Sequence, residues 1–533
     1  MNSAPSSAAA SQNLGFASLV MMSSVFLSRL IGLARESVIA YVGGIGNEVG
    51  AYQVAFILPE ILNHIVASGF LSVTFIPIFS RYLVNEQEPE GWRVFSLILT
   101  CFGSLLTVFI VLSMVFAPWL VAVCAPGGGM DDPLLFAKAV RMTRIILPAQ
   151  LLFFIGGLLM AVQFAKRRFL IPALAPLIYN SGIIVGGLLL GRRYGMEAFA
   201  WGVLAGAMAG NLAVQLWGAW RCGLIYRPTW DFRHPDFKKY VWLTLPLMLG
   251  LTMTFSSEFL FRFFGSFLAA GNIAVLNFGL RVMLILVGLF GQAVGTASYP
   301  FLARLMVEKG VSGVNRLLNK TLRYLALVIP FSVLMIVLRF ELVRLLFQRG
   351  RFDADATAVT ADVLICFLVG AFAYSAYTMV VRAYFASQNT LFPALYGTIA
   401  VVLSLPIYLL GLNTMGVYGI ALAVSISGIL QVLWLFHFWN RHSHNPDRRK
   451  VYIAYVKLAA LSAPIGLALH VIKTAVFPDP ARQSAAASVM VAAAVGCLFM
   501  ALLAGAGYGL KVREIKDPLE RVAAILKRKA NSA

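Results

Sequence analysis

Apolar runs long enough to cross a bilayer recur along this chain from Leu14 to Leu510, and they leave room for few architectures. A spanning helix needs about 20 predominantly apolar residues, because its backbone polar groups must be satisfied within the segment. Read at that length, the sequence resolves into about 14 spans. They fall at 14–42, 49–83, 92–123, 134–164, 169–191, 197–220, 238–268, 272–303, 317–346, 355–386, 390–412, 415–440, 451–474 and 484–510. The runs are continuous rather than alternating, which argues against a membrane β-barrel. Only 12% of the residues are charged, against about 25% in a soluble domain. The expected class is an all-α polytopic membrane protein.

The opening "MNSAPSSAAASQ" lacks Lys and Arg and places its small residues ahead of the apolar run, so the first span is expected to be retained rather than cleaved. Five scattered cysteines without a CxxC suggest neither a disulfide framework nor a metal site. The net charge of +21 is read as a membrane-topology signal and not as a nucleic-acid footprint. Lys and Arg concentrate in connections such as "AKRRF", "RCGLIYRPTWDFRHPDFKK" and "NRHSHNPDRRK". The opposite connections "GGIGNEVG", "APGGGMDDP", "AAGN" and "GLNTMG" are nearly free of them. Both termini are therefore expected in the cytoplasm, with Arg192, Arg193, Arg349 and Arg351 as exceptions. The tail "DPLERVAAILKRKANSA" reads as a helix starting after Pro518, with Leu519, Val522 and Leu526 on one face and Lys527, Arg528 and Lys529 following. Such a basic amphipathic segment suits an acidic inner leaflet.

Two segment pairs repeat at nearly constant offset. "FAKRRFLIPAL" at 164–174 matches "FASQNTLFPAL" at 385–395, and "SVTFIPIFSRYL" at 72–83 matches "GTASYPFLARLM" at 295–306. Six spans separate the copies, so the halves share orientation and are related by a pseudo-twofold axis along the membrane normal. This predicts a six-span lobe over 1–232, a second over 233–443, two extra C-terminal helices within 444–511 and a cytoplasmic tail over 512–533. The same offset relates Glu36 to Glu258.

Charges inside spans then become the candidate site. Arg29, Arg35, Arg262, Arg281 and Arg382, with Glu36, Glu60, His64 and Glu258, all fall at membrane depth. An arginine there costs about 2.5–3.5 kcal/mol and belongs in a bundle interior or a wet cavity. Arg29 and Glu36 share a helix face, and Glu60 and His64, like Glu258 and Arg262, are four apart. Glu258 and Arg262 are readable as a self-neutralised pair, and Arg382 as snorkelling to the interface. Arg35 and Arg281 have no adjacent neutraliser that fully accounts for them and are the strongest functional candidates. Permanently charged, forked guanidinium groups in a cavity suit a phosphate or diphosphate.

"SRLIGLARESVIA", "AFILPEILNHIVASGFLSVTFIPIFSRYL", "SFLAAGNIAVLNFGLRV" and "LFQRGRFDADAT" occur in an order that resembles the MurJ (MviN) family of lipid II flippases, within the multidrug/oligosaccharidyl-lipid/polysaccharide exporter superfamily. The resemblance implies 14 helices, two lobes around a cavity, and two added helices bordering a groove for the lipid tail. It also implies transport of undecaprenyl-diphosphate-linked peptidoglycan precursor from inner to outer leaflet by alternating access, alongside the cell-wall synthesis machinery in the bacterial inner membrane. Arg29, Arg35 and Arg281 match the family's diphosphate-binding arginines. The chain departs from the family at Asn63 and His64, where an arginine pair is usual, at Ser68 in place of a glutamate, and at Gly50 in place of an aspartate. Phe261 (with Glu258 a turn away), Ser404 and Tyr408 stand at the family's ion-binding positions, which speaks against a sodium site and leaves another ion or the membrane potential as the coupling.

Other readings are weaker. A flippase for a different polyprenyl-diphosphate glycan is the alternative suggested by the His64 and Ser68 departures. A drug antiporter would call for a carboxylate-dominated cavity. A membrane glycosyltransferase or phosphatase would need acidic groups or histidines on sizeable loops, and Asp131-Asp132 lies in a short glycine turn. No Walker motif offers ATP hydrolysis. The expectation is a transporter, with no catalytic residue and no cofactor, bound to a lipid-linked glycan and membrane lipids.

Overall fold

The computed structural model describes residues 7–67, 70–249, 253–477 and 484–530. Their regular structure is helical throughout, with no strand among the described residues. Among the described residues, every segment read as a span is mostly helical. Nine described helices are long and apolar enough to cross a membrane, and the pair Ala354–Leu368 and Ala371–Ala386, bent by 43°, makes a tenth. Several other expected spans are built from shorter helices in series, such as Asn47–Ala55, Ile57–Leu62 and Phe70–Val84.

Two expected connections are nearly swallowed by helix. Leu391–His442 runs through "GLNTMG" and is broken only at Gly416, where φ is 56°. The arms on either side pass so close that a Cβ on Gly411 would lie 2.5 Å from the Gly419 carbonyl oxygen. Gly416 supplies the positive φ of the break, and the missing side chain at Gly411 permits the close approach. Gly310 plays the same backbone role within Ala293–Leu325, at φ 60°.

The chain divides into two compact units, residues 1–249 with 266–274, and residues 250–265 with 275–533. A wide π turn precedes the proline-bearing stretch of each repeat, Asn63–Ala67 before Pro77 and Gly288–Gln292 before Pro300. The repeat in the sequence is thus matched by a repeated irregularity.

In the first unit, Phe79, Trp92 and Phe95 form an edge-to-face aromatic core. Polar links tie its basic connections: Arg81 donates to Asp236 at 2.7 Å, and Tyr82 donates to the same carboxylate. Burial alone would raise the Asp236 carboxyl, but hydrogen bonds from Tyr82 and Arg81 outweigh it and hold it below the usual range. The "GGGMDDP" segment is a capped turn: Asp132 accepts from the Leu134 N–H at 2.9 Å and starts the helix Pro133–Ile146.

In the second unit, Arg448–Val476 and Ala485–Gly509 pack around Leu458, Leu469, Phe499 and Leu503. The tail helix begins earlier than its proline suggests, running Arg513–Ala530 with Pro518 inside. Tertiary contacts set that start: Val512 and Ile515 are buried in the same cluster. In addition, Arg323 Nε donates to Glu514 at 2.8 Å and Tyr324 donates to Asp517 at 3.0 Å. The side chains of Val522 and Leu526 through Lys529 lie outside the described residues.

Sequence reasoning passed over a fully buried ion pair. Lys473 Nζ donates to both Glu341 oxygens at 2.8 and 3.0 Å, with side chains only 1% and 0% exposed. Both residues sit inside expected spans, so the signal was available, but 132 positions separate them. Lys473→Met strands a buried carboxylate and is expected to lower stability by about 3–5 kcal/mol, while adding Glu341→Leu recovers most of the loss. Denaturant titration of the purified protein measures both. A single variant as stable as the parent would contradict the pairing.

Candidate functional site

The first cluster rises from the helix Ser7–Gly43. Arg35 Nη2 donates to Glu36 Oε1 at 2.6 Å, and its Nη1 donates to Asn180 Oδ1 at 3.1 Å. Asn180, on the helix Leu170–Tyr194, donates its amide to the Pro176 carbonyl at 2.8 Å, which leaves the amide oxygen for the guanidinium. Glu36 is buried, whereas Arg35 keeps 21% of its side chain exposed. Arg29 is exposed, so sharing a helix face with Glu36 does not give the two a common environment.

Glu60 is half-buried and His64 buried. The π turn beginning at Asn63 interrupts the regular i,i+4 register expected of the two. Ser68 lies outside the described residues.

The second cluster centres on Glu258. Arg281 meets it with both arms, Nη1 to Oε1 at 3.1 Å and Nη2 to Oε2 at 3.3 Å. Arg262 Nη2 reaches Oε2 at 3.3 Å from the same helix, Met253–Gly265. Arg262 is 1% exposed and Arg281 is 25% exposed. One carboxylate therefore meets two guanidiniums, of which Arg281 is the more accessible.

These contacts correct one expectation. Arg35 and Arg281 do have neutralising neighbours, Glu36 and Glu258. Long side chains let adjacent Arg35 and Glu36 meet despite diverging along the helix. The Arg281 contact joins two helices, Met253–Gly265 and Gly271–Val287, which helical spacing cannot reveal. The structure thus brings together Arg35 with Glu36, and Arg262 and Arg281 with Glu258. Asn180 is the partner that sequence reasoning missed, a polar residue in an apolar span.

The positions compared with an ion site lie in packed surroundings. Phe261 is fully buried, Ser404 Oγ donates to the Val401 carbonyl at 2.7 Å, and the Tyr408 ring stacks on Phe264 at 5.1 Å. At Gly50 a Cβ would lie 2.0 Å from the Ala270 carbonyl oxygen, so an aspartate has no room there without movement of the neighbouring backbone.

A family model described as "Lipid II flippase MurJ" matches residues 39–478. "Probable lipid II flippase MurJ" of Thermotoga maritima is 28% identical over 413 residues, covering 77% of this chain and 82% of its own. "Lipid II flippase MurJ" of Burkholderia cenocepacia is 26% identical over 432 residues, covering 80% and 83%. A solved structure described as "Lipid II flippase MurJ, inward closed conformation" superposes with a TM-score of 0.73 at 23% identity, covering 90% of this chain and 98% of its own. An inward-facing multidrug MATE transporter of the MOP superfamily shares the fold at a TM-score of 0.60 and 13% identity, covering 80% and 98%.

The unequal burial of the two arginines on Glu258 yields a test. Arg262→Ala removes a fully buried charge partner and is expected to cost about 3 kcal/mol or more. Arg281→Ala leaves Glu258 paired with Arg262 and should cost about 1 kcal/mol. Unfolding titrations compare them, and equal losses would contradict the division between a structural and an accessible arginine.

Proposed function

The chain belongs to the MurJ family of lipid II flippases, and from that premise we propose that it carries lipid II from the inner to the outer leaflet by alternating access. Lipid II is the undecaprenyl-diphosphate-linked peptidoglycan precursor, an amphiphile whose charged diphosphate is the part a bilayer rejects. The observation that carries this reading is the state of Arg35 and Arg281. Each is partly exposed at membrane depth and held by a carboxylate rather than locked in a dry core.

A diphosphate competes well for such groups. It presents several oxygens to the guanidinium fork and carries more charge than the carboxylate it displaces. Glu36 and Glu258 then act as place-holders, keeping the guanidiniums solvated and oriented while no substrate is bound. Asn180 fixes Arg35 in position through either exchange. Arg29, Arg35 and Arg281 are the proposed diphosphate contacts, with His64 and Glu60 lining the path and Arg262 anchoring Glu258.

The chain is a multi-pass membrane protein of a transporter family. Its charge asymmetry favours the inner membrane with both termini in the cytoplasm. Work alongside the cell-wall synthesis enzymes follows from the cargo. The packed surroundings of Phe261, Ser404 and Tyr408 favour coupling to another ion or to the membrane potential over sodium at those positions. A second reading, transport of another polyprenyl-diphosphate glycan, is favoured by Asn63 and His64, which give this chain fewer permanent charges at those positions than the usual family pattern.

Complementation separates the two. In cells depleted of their own flippase, this chain should restore lipid II to the outer face, and Arg281→Ala should abolish the restoration while still inserting in the membrane. Failure of the inserted parent chain to restore lipid II would move the assignment to another glycan. Full activity of Arg281→Ala would remove Arg281 from the mechanism.

A further inference from the structure

Outside these clusters, the second unit carries a basic cavity that the proposed transport path does not include. It has a volume of about 430 Å³ and is lined by Phe392, Phe438, Arg441, His442 and His444. Its floor is aromatic: Phe392 stacks on Tyr396 at 4.2 Å, and Tyr396 meets Phe438 at 4.5 Å. Its rim is cationic or protonatable, with no carboxylate among the described lining residues. The nearby Asp447 is engaged by Lys450 at 2.7 Å.

The rim is held in place from below. His444 adopts a left-handed backbone with φ 46°, unusual for a residue with a side chain. Such strain persists only where the surroundings enforce it. Here the next residue, Asn445, is buried and donates to Asn319 Oδ1 at 2.9 Å and to Asn440 Oδ1 at 2.7 Å. Asn319 returns a bond to Asn445 at 2.7 Å. The loop therefore presents Arg441, His442 and His444 as a fixed edge at the ends of two apolar helical arms.

An apolar track leads away from the cavity. Leu391, Leu395, Ile399 and Val402 recur on one helix face and are all exposed, Leu391 by 63% and Leu395 by 51%. We propose that this cavity binds the headgroup phosphate of an anionic phospholipid, with the acyl chains lying along Leu391, Leu395, Ile399 and Val402. Arg441 supplies the forked donors, the histidines flank the phosphate, and Phe392 and Phe438 hold the glycerol end. Basic pockets between membrane helices at the interface are suited to such headgroups. The track selects a lipid over free phosphate, because an ion would gain nothing from it. The assignment is independent of the flippase reading, since it uses neither arginine cluster.

Native mass spectrometry of the full-length purified protein tests it, with phosphatidylglycerol and phosphatidylcholine as probes. The expected result is preferential retention of phosphatidylglycerol, weakened about five-fold by Arg441→Ala, the worth of one cation at an anionic headgroup. His444→Asn, which keeps the left-handed backbone, should weaken retention as well. Arg449→Ala, an exposed basic neighbour outside the lining, should leave it unchanged. Equal retention of both lipids would overturn the proposal, as would an equal loss with Arg449→Ala, which would mean diffuse electrostatics. Displacement of the lipid by millimolar inorganic phosphate would overturn the lipid assignment in favour of a phosphate site.

Discussion

A guanidinium or ammonium at bilayer depth costs about 2.5–3.5 kcal/mol even on a lenient scale. The helices carrying Arg35, Arg262, Arg281 and Lys473 are arranged so that each meets a carboxylate: Glu36, Glu258 for both of its arginines, and Glu341. The pairings are not alike. Lys473 and Glu341 are wholly buried, as befits a fixed joint between helices. Arg35 and Arg281 keep about a fifth and a quarter of their side chains open.

That difference in burial is the ground for assigning the open pairs to the proposed transport path and the closed pair to the scaffold. A closed pair cannot exchange its partner without stranding a charge, whereas an open pair can trade its carboxylate for a stronger anion. In the second unit one carboxylate meets two guanidiniums, and a diphosphate in its place would offer them more oxygens and more charge. Lipid transport needs such balanced contacts: binding strong enough to draw the charged group from water, yet reversible enough to release it on the far side.

Much of this was legible in the sequence because its causes are local. Continuous apolar runs mark the helical segments, whereas the breaks at Gly416 and Gly310, inside helices that run through two expected connections, emerge only from the structure. The paired Pro77 and Pro300 motifs point to a repeat, and π turns stand before both. Membrane-depth charges named Arg35, Glu36, Glu258, Arg262 and Arg281 before any contact was known. Their partners were another matter. Asn180 lies 145 positions from Arg35, and Glu341 lies 132 from Lys473. Helical periodicity reports neighbours a turn away and is silent on those distances, so Arg35 and Arg281 looked unneutralised when they are not. The tail helix likewise starts at Arg513 because Arg323, Tyr324 and a buried apolar cluster hold it there, and a lone Pro518 gave no hint of that.

The central claim is that Glu258 holds a place the substrate's diphosphate takes. The most direct measurement is the affinity of the purified protein for an undecaprenyl-diphosphate lipid, compared between the parent chain and Glu258→Gln, on monodisperse protein in each case. A competing carboxylate predicts that its neutralisation leaves binding intact or tightens it several-fold, because Arg281 no longer has to be released first. A loss of affinity as deep as that of Arg281→Ala would contradict the account and make the Glu258 pair a structural joint like that of Lys473.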